Sequence, residues 1–194
     1  MGELQPLVFI YPMVSTAGIQ ISDLHFVPFI ESGKIEERVT SLALSLSQDL
    51  KGLDPILVPV LNGAFMFASD LMKAISIPCE VSFVKVASYH QGTQSSGAVH
   101  DVLGLGTDIR GRHVVLVEDI VDTGLTMEYL IQTFMALQPA SLRIAALFLK
   151  PGSLKKPIKV DYLGFEIENK FIVGYGLDYK GLGRNLKDVY QLQS

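Results

Sequence analysis

The sequence predicts an α/β chain: a parallel, twisted sheet flanked by helices, with a small hood lobe built from the N- and C-terminal segments. Three observations carry this. Short apolar runs alternate with segments of helical apolar spacing from residue 36 to residue 150. Four consecutive apolar residues, Val114 to Val117, run straight into two acids, as a central strand ending at a site would. After Lys155, two short apolar runs, YLGFEI and FIVGYG, follow with no helical stretch between them. A single domain accommodates all 194 residues. Its core is expected over residues 35–155, and its hood over 1–34 plus 156–194.

Taken in order, Val39, Leu42, Ala43, Leu46 and Leu50 recur at helical spacing and predict a first helix over residues 36–50. ILVPV follows as a buried strand. Pro59 lacks a ladder donor, so regular pairing is expected to end there, with the chain bending towards Asn62-Gly63. Ala64, Phe67, Ala68, Leu71, Met72 and Ile75 mark one face of a second helix, and residues 80–88 read as one strand. Residues 89–106, rich in Gly, Ser and Gln, have no sustained apolar period and read as a long functional loop. HVVLVED is the next strand. A helix through Leu130, Ile131, Phe134 and Leu137 and a strand RIAALFLK complete the alternation. Nothing repeats internally.

Composition narrows the function. Hydrophobic residues make up 48% and charged residues 19%, the balance of a compact globular chain. A net charge of −4 without a run of Lys or Arg excludes a non-specific nucleic-acid surface. It does not exclude a phosphate ligand, because backbone N–H groups and metal ions bind phosphate without net basicity. Cys79, the single cysteine, excludes an intrachain disulfide; in the run IPCEV it reads as a buried structural thiol. The start of the sequence has neither a positive n-region nor a small-residue cleavage pattern, and no apolar stretch reaches bilayer-spanning length. A cytosolic protein is expected.

The most specific feature is VVLVEDIVDTGLTM, residues 114–127. Its strand delivers Glu118 and Asp119 to a carboxyl end, where ligands of open parallel sheets bind. The loop Asp122-Thr123-Gly124-Leu125-Thr126 then opens a helix, whose first N–H groups and positive dipole suit a phosphate. Gly124 permits close backbone approach, and Thr123 and Thr126 add hydroxyl donors. The loop lacks the lysine of a Walker-type phosphate loop. Acids that bind sugar hydroxyls beside N–H groups that bind phosphate describe a 5-phosphoribosyl site. As a bare pattern, two acids after a strand also fit a solvated strand end or the acidic pocket of a receiver-like domain.

The same stretch resembles the phosphoribosyl pyrophosphate (PRPP) signature of type I phosphoribosyltransferases, in particular the hypoxanthine-guanine enzymes. VLNGAFMFASDLM is similar to that family's pyrophosphate loop, SYHQGTQSSG to its flexible catalytic loop, LFLKP to its base-recognition strand, and VDYLGFEIENKFIVGYGLDY with Arg184 to its purine lobe. The resemblance implies a PRPP-dependent enzyme for hypoxanthine or guanine. Asp122 would be the general acid/base near purine N7, and Glu118 and Asp119 would hold the ribose hydroxyls, directly or through Mg²⁺. Asp178 would be a further metal-linked acid at the purine site. Lys150 would donate to O6 and N7 of the base, Phe171 would stack on it, and Ile172 would contact it through its backbone. Asn62, Gly63 and Arg184 would bind pyrophosphate, and Ser88 and Tyr89 would open the loop that closes over the reaction. Family members often carry a lysine where this chain has Asn62, and the peptide bond before that position can be cis. PRPP and a 6-oxopurine base are the implied partners, with no nucleic acid or membrane, in a homodimer or homotetramer. Two alternatives stay open: a phosphoribosyltransferase for another base, and a non-catalytic nucleotide-sensing homologue.

Overall fold

The computed structural model describes residues 18–88 and 99–193. Its larger sheet is built from β3 (Ile56–Leu61), β4 (Glu80–Val81), β5 (Val84–Ser88), β6 (Val99–Leu103), β7 (His113–Val121), β8 (Ser141–Leu149) and β9 (Tyr162–Glu166). They run in the order β6-β5-β3-β7-β8-β9, with β4 also beside β3. All neighbours are parallel except the β5–β6 pair. Helices α1 (Ser32–Asp49), α2 (Phe65–Ala74) and α3 (Leu125–Ala136) cover it.

Side-chain alternation explains why its central strands read as unbroken apolar runs. Leu57, Val115, Val117, Ala145 and Leu147 pack towards Ile35, Val39, Leu46, Phe67 and Leu71 of α1 and α2. The intervening residues Ile56, Val58, Val114, Leu116 and Ile144 pack towards Leu130 and Phe134 of α3. Strands buried on both faces need apolar residues at every position. Each fully buried Leu or Phe on these helices contributes about 1.5–3 kcal/mol relative to exposure.

The structure corrects several expectations. Pro59 does not end its strand; β3 continues to Leu61. Pairing with β7 extends through Pro59, and pairing with β5 begins at Val60. Glu80 and Ser82 donate to the carbonyls of Pro55 and Leu57, so the ladder would next require Pro59 to donate towards Ser82. The neighbouring strand breaks there, between β4 and β5, so the missing donor leaves no gap in an otherwise regular ladder. This break also splits the single strand expected over residues 80–88. Residues 99–103, expected as loop, form β6, a short antiparallel ribbon with β5 that rests on backbone pairing and needs no apolar period. Residues 89–98 of that loop lie outside the described residues. Cys79 is partly rather than fully buried, and burial raises its thiol pKa, which keeps it the protonated, unreactive form.

The hood boundary also moves. YLGFEI was expected in the hood, yet β9 pairs parallel with β8 at the edge of the main sheet. The α1 residue Arg38 donates to the carbonyls of Leu163 and Gly164 on that strand, at 2.6 and 2.8 Å. An apolar run reads the same whether it extends the core or founds a lobe. The hood sheet instead contains β1 (Ile19–Ile21), β2 (Leu24–Ile30), β11 (Val189–Leu192) and β10 (Ile172–Val173), in that order and all antiparallel. Ile21, Phe26, Val173 and Tyr190 form its core. It is tied to the larger sheet's layer at the start of α1, where the Ser32 N–H donates to Asp188 Oδ1 at 2.7 Å. Among the described residues, no helix is long and apolar enough to cross a membrane.

Candidate active site

Three strand ends and one hood turn converge. β7 delivers Glu118 and Asp119; the following loop carries Asp122, Thr123 and Gly124 into α3. β8 ends at Leu149, so Lys150 stands one residue beyond, its N–H held by the Val121 carbonyl at 3.0 Å. β10 brings Ile172 from the hood, with Phe171 just before it.

Asp119, Ile120, Asp122, Lys150, Phe171, Ile172, Leu177 and Asp178 line a cavity of about 160 Å³. A second hollow, of about 80 Å³, lies beside Glu118, Asp122, Thr123, Gly124 and Thr126. Asp122 and Ile120 line both, so the two hollows adjoin. A larger cavity, about 410 Å³, lies elsewhere, among α1, α2 and Tyr175. Size alone does not locate this site; converging polar chemistry does.

Lys150 is only 6% exposed, which rules out a surface charge at a strand end. Its Nζ donates to Asp122 Oδ2 at 3.0 Å. A buried ammonium needs such a partner, and the Asp122 side chain, 45% exposed, keeps its other side open to the hollows. The Phe171 ring is 44% exposed and backed by Phe26 and Tyr179, with ring centroids at 6.1 and 5.8 Å. So supported, it lines the cavity from the hood side.

The loop into α3 is shaped for an anion. Gly124 caps the helix with φ 80° and, as glycine, offers no side-chain acceptor of its own. A Cβ on Gly124 would approach Ile158 Cγ1 to 2.9 Å, so glycine is required by both conformation and space. Thr123 Oγ1 receives the Leu125 N–H at 3.4 Å, a weak bond that a better acceptor would displace. Gly124 and Thr126 at the start of α3 line the smaller hollow, where helix-start N–H groups suit an anion.

The acid pair is electrostatically unsatisfied. Glu118 Oε2 is buried without a hydrogen-bond partner. Burial, and then the charge of Asp119, holds the Glu118 carboxyl well above the usual carboxylate range. Burial also pushes Asp119 up to about 6, against its backbone hydrogen bonds and the charge of Arg184, which pull it down. The two acids interact directly, so they take up and release protons as a pair. An orphaned, buried carboxylate oxygen in such a pair fits a divalent cation taking oxygen ligands.

Asp178 does not join that pair. It forms an ion pair with Arg184 and accepts the Gly181 N–H at 2.7 Å. Among the described residues, no three acidic, His or Cys side chains converge in a way that could hold a metal, so the expected trio Glu118, Asp119 and Asp178 is not gathered. Arg184 also donates to the Gly176 carbonyl at 2.6 Å, holding the hood turn. The Leu61–Asn62 peptide is cis, and Gly63 lies directly under Asp119. A Cβ on Gly63 would overlap the Asp119 carboxylate. Gly63→Ala should therefore cost about 1–3 kcal/mol through overpacking and disturb the acid pair. An unchanged denaturation midpoint and unchanged activity would contradict this packing. Ser88 ends β5, and Tyr89 lies outside the described residues.

Sequence reasoning missed Ile120 and Leu177 as cavity walls and Gly176 as the surface resting on Gly63. Leu177 adjoins Asp178, which was the available signal; the Gly176–Gly63 contact spans more than a hundred residues and leaves none.

Comparison with known proteins agrees with this geometry. The family model described as a phosphoribosyl transferase domain matches residues 30–180. A hypoxanthine-guanine phosphoribosyltransferase of Streptococcus pneumoniae is 43% identical over 157 residues, covering 81% of this chain and 87% of that protein. One from Mycobacterium bovis is 38% identical over 180 residues, covering 90% and 89%. Among solved structures, a Trypanosoma cruzi hypoxanthine phosphoribosyltransferase superposes with a TM-score of 0.82 at 36% identity, covering 90% of this chain and 95% of that one. A Bacillus anthracis hypoxanthine-guanine phosphoribosyltransferase gives 0.81 at 34% identity, covering 90% and 100%. With its parallel sheet, acid pair and helix-start loop, the chain belongs to the phosphoribosyltransferase family and, within it, to the hypoxanthine-guanine phosphoribosyltransferases.

Proposed function

We propose that this chain is a purine-salvage enzyme that transfers the 5-phosphoribosyl group of PRPP to N9 of hypoxanthine or guanine. The products are IMP or GMP and pyrophosphate. The observation that carries the reading is the Lys150–Asp122 pair, 3.0 Å apart, beside the half-exposed Phe171 ring and the anion-ready start of α3. Lys150 offers its ammonium to O6 of an oxopurine, where adenine presents an amino donor. Phe171 stacks on the base, a contact worth about 1–3 kcal/mol, and Ile172 and Leu177 complete its pocket. Asp122 manages the N7 proton, which leaves N9 nucleophilic towards the sugar carbon that loses pyrophosphate.

The loop 122–126 receives the 5-phosphate on open N–H groups, and Glu118 and Asp119 face the ribose hydroxyls. Gly63 and Arg184 lie on the pyrophosphate side; Asn62 contributes its backbone rather than a cation. Glu118 and Asp119 are the residues that would hold Mg²⁺, which when bound with PRPP offsets charge on the leaving group. Asp178 acts here at the purine site through its pair with Arg184. The same reading carries a cytosolic homodimer or homotetramer, which light scattering can size.

The test is a labelled-base assay with PRPP and Mg²⁺, run on hypoxanthine, guanine, xanthine and adenine with one preparation. Nucleotide should form from hypoxanthine or guanine. Adenine turned over as efficiently as both would sink the oxopurine reading, and no turnover of any base would sink the enzyme.

A further inference from the structure

We infer that Tyr175 is a positioning residue that sets the pyrophosphate loop from the hood, through a hydrogen bond to Asp70 of α2. The inference rests on the phosphoribosyl-transfer reading above. Tyr175 is 5% exposed and holds φ 47°, a left-handed conformation that a bulky side chain rarely adopts. Such a backbone persists only where its surroundings fix it. Two contacts do so: the Tyr175 N–H donates to the Leu186 carbonyl at 2.8 Å, and its hydroxyl donates to Asp70 Oδ2 at 2.7 Å.

What this posture achieves lies at the next residue. Gly176, at φ 101°, presses its Cα against the Gly63 carbonyl so closely that a Cβ would overlap it. Gly63 in turn lies against the Asp119 carboxylate. A continuous stack thus runs from α2 through Tyr175 and Gly176 to Gly63 and the ribose acids. Asp70 sits on the helix that the 61–63 loop enters, so the Tyr175–Asp70 bond closes a small ring around that loop.

The purine side of the same turn has separate supports. Gly174 and Leu177 pair with each other, and Asp178 is held by its ion pair with Arg184 and by the Gly181 N–H. Arg184 also donates to the Gly176 carbonyl, so the Gly63 side keeps one support when the tyrosine hydroxyl is lost. Losing the tyrosine hydroxyl should therefore loosen the Gly63 side selectively. Asp70 is also paired with Lys73 and is partly exposed, so the carboxylate remains solvated and the fold is retained without its tyrosine partner.

The experiment measures forward and reverse kinetics on Tyr175→Phe, Asp70→Ala, Asp70→Asn and the Tyr175→Phe/Asp70→Ala pair. A partly solvated hydrogen bond predicts a rise of about 3–10-fold in KM for PRPP and for pyrophosphate. KM for hypoxanthine should change less than KM for PRPP, because Asp178 keeps its own contacts with Arg184 and the Gly181 N–H. The double variant should be no worse than either single one, and Asp70→Asn, which keeps an acceptor oxygen, should recover most of the loss. Wild-type turnover in the same assay separates failure of the enzyme reading from failure of this one. The positioning role is overturned if melting temperature falls with both KM values unchanged. It is equally overturned if the KM for hypoxanthine rises as much as that for PRPP, or if Asp70→Asn matches Asp70→Ala.

Discussion

Asp122→Asn should lower the single-turnover rate of nucleotide formation by about 10²–10⁴ while leaving PRPP affinity and fold intact. The substitution isolates one property. Asn keeps an oxygen for Lys150 Nζ, now 3.0 Å from Asp122 Oδ2, so the lysine stays where it is. Asp122 is half exposed at the junction of both hollows, and its contact with the buried Lys150 survives in Asn as a hydrogen bond, so the fold should hold. What disappears is the carboxylate able to take or return a proton. Single turnover is the right measurement, because slow product release can hide a loss in the chemical step. Isothermal titration with PRPP supplies the control. A rate within about threefold of wild type would remove Asp122 from proton transfer, since positioned acid–base groups contribute far more than that.

Much of this site was legible because its residues cluster in sequence. Glu118 to Thr126 span one strand end, one loop and one helix start, and the chain's local chemistry dictates all three. The parallel core was legible because its strands are apolar at consecutive positions, which only two covered faces permit. The hood boundary was not. β9 carries the same apolar signature as β10, and only pairing with β8, set by the core's free edge, decides between them. β6 was hidden because a two-stranded ribbon is specified by backbone pairing. Asp178 shows a further limit: spacing gives a nearby acid, while the Arg184 ion pair that diverts it from Glu118 and Asp119 arises only when the hood turn folds back. Burial of Lys150 is the sharpest case. A lysine after a strand ordinarily snorkels to water, whereas this one is buried beside a cavity that hood residues Phe171 and Ile172 also line.

That enclosure sets the expected result for Lys150→Met. The ammonium is 6% exposed, so a base bound in the cavity meets it with little competing water. A charge-assisted hydrogen bond there is worth about 1.5–3 kcal/mol, and kcat/KM for hypoxanthine and guanine should fall about 10–150-fold. Methionine keeps most of the apolar stem, and the exposed half of Asp122 lets water replace its lost partner, so the fold should survive. Losing the cation also alters Asp122, the proposed proton carrier. That effect slows every base alike and cancels in a ratio of bases. The oxopurine-to-adenine ratio of kcat/KM therefore reports the recognition contact by itself. It should narrow, because the oxopurines lose a donor to O6 while adenine, whose amino group faces that donor in the wild type, loses a repulsion. Measuring hypoxanthine, guanine and adenine on both proteins gives the ratio directly. An unchanged ratio with uniformly slower rates would leave Lys150 as the partner that orients Asp122, and oxopurine recognition would fall to the backbone around Ile172 and Asp178.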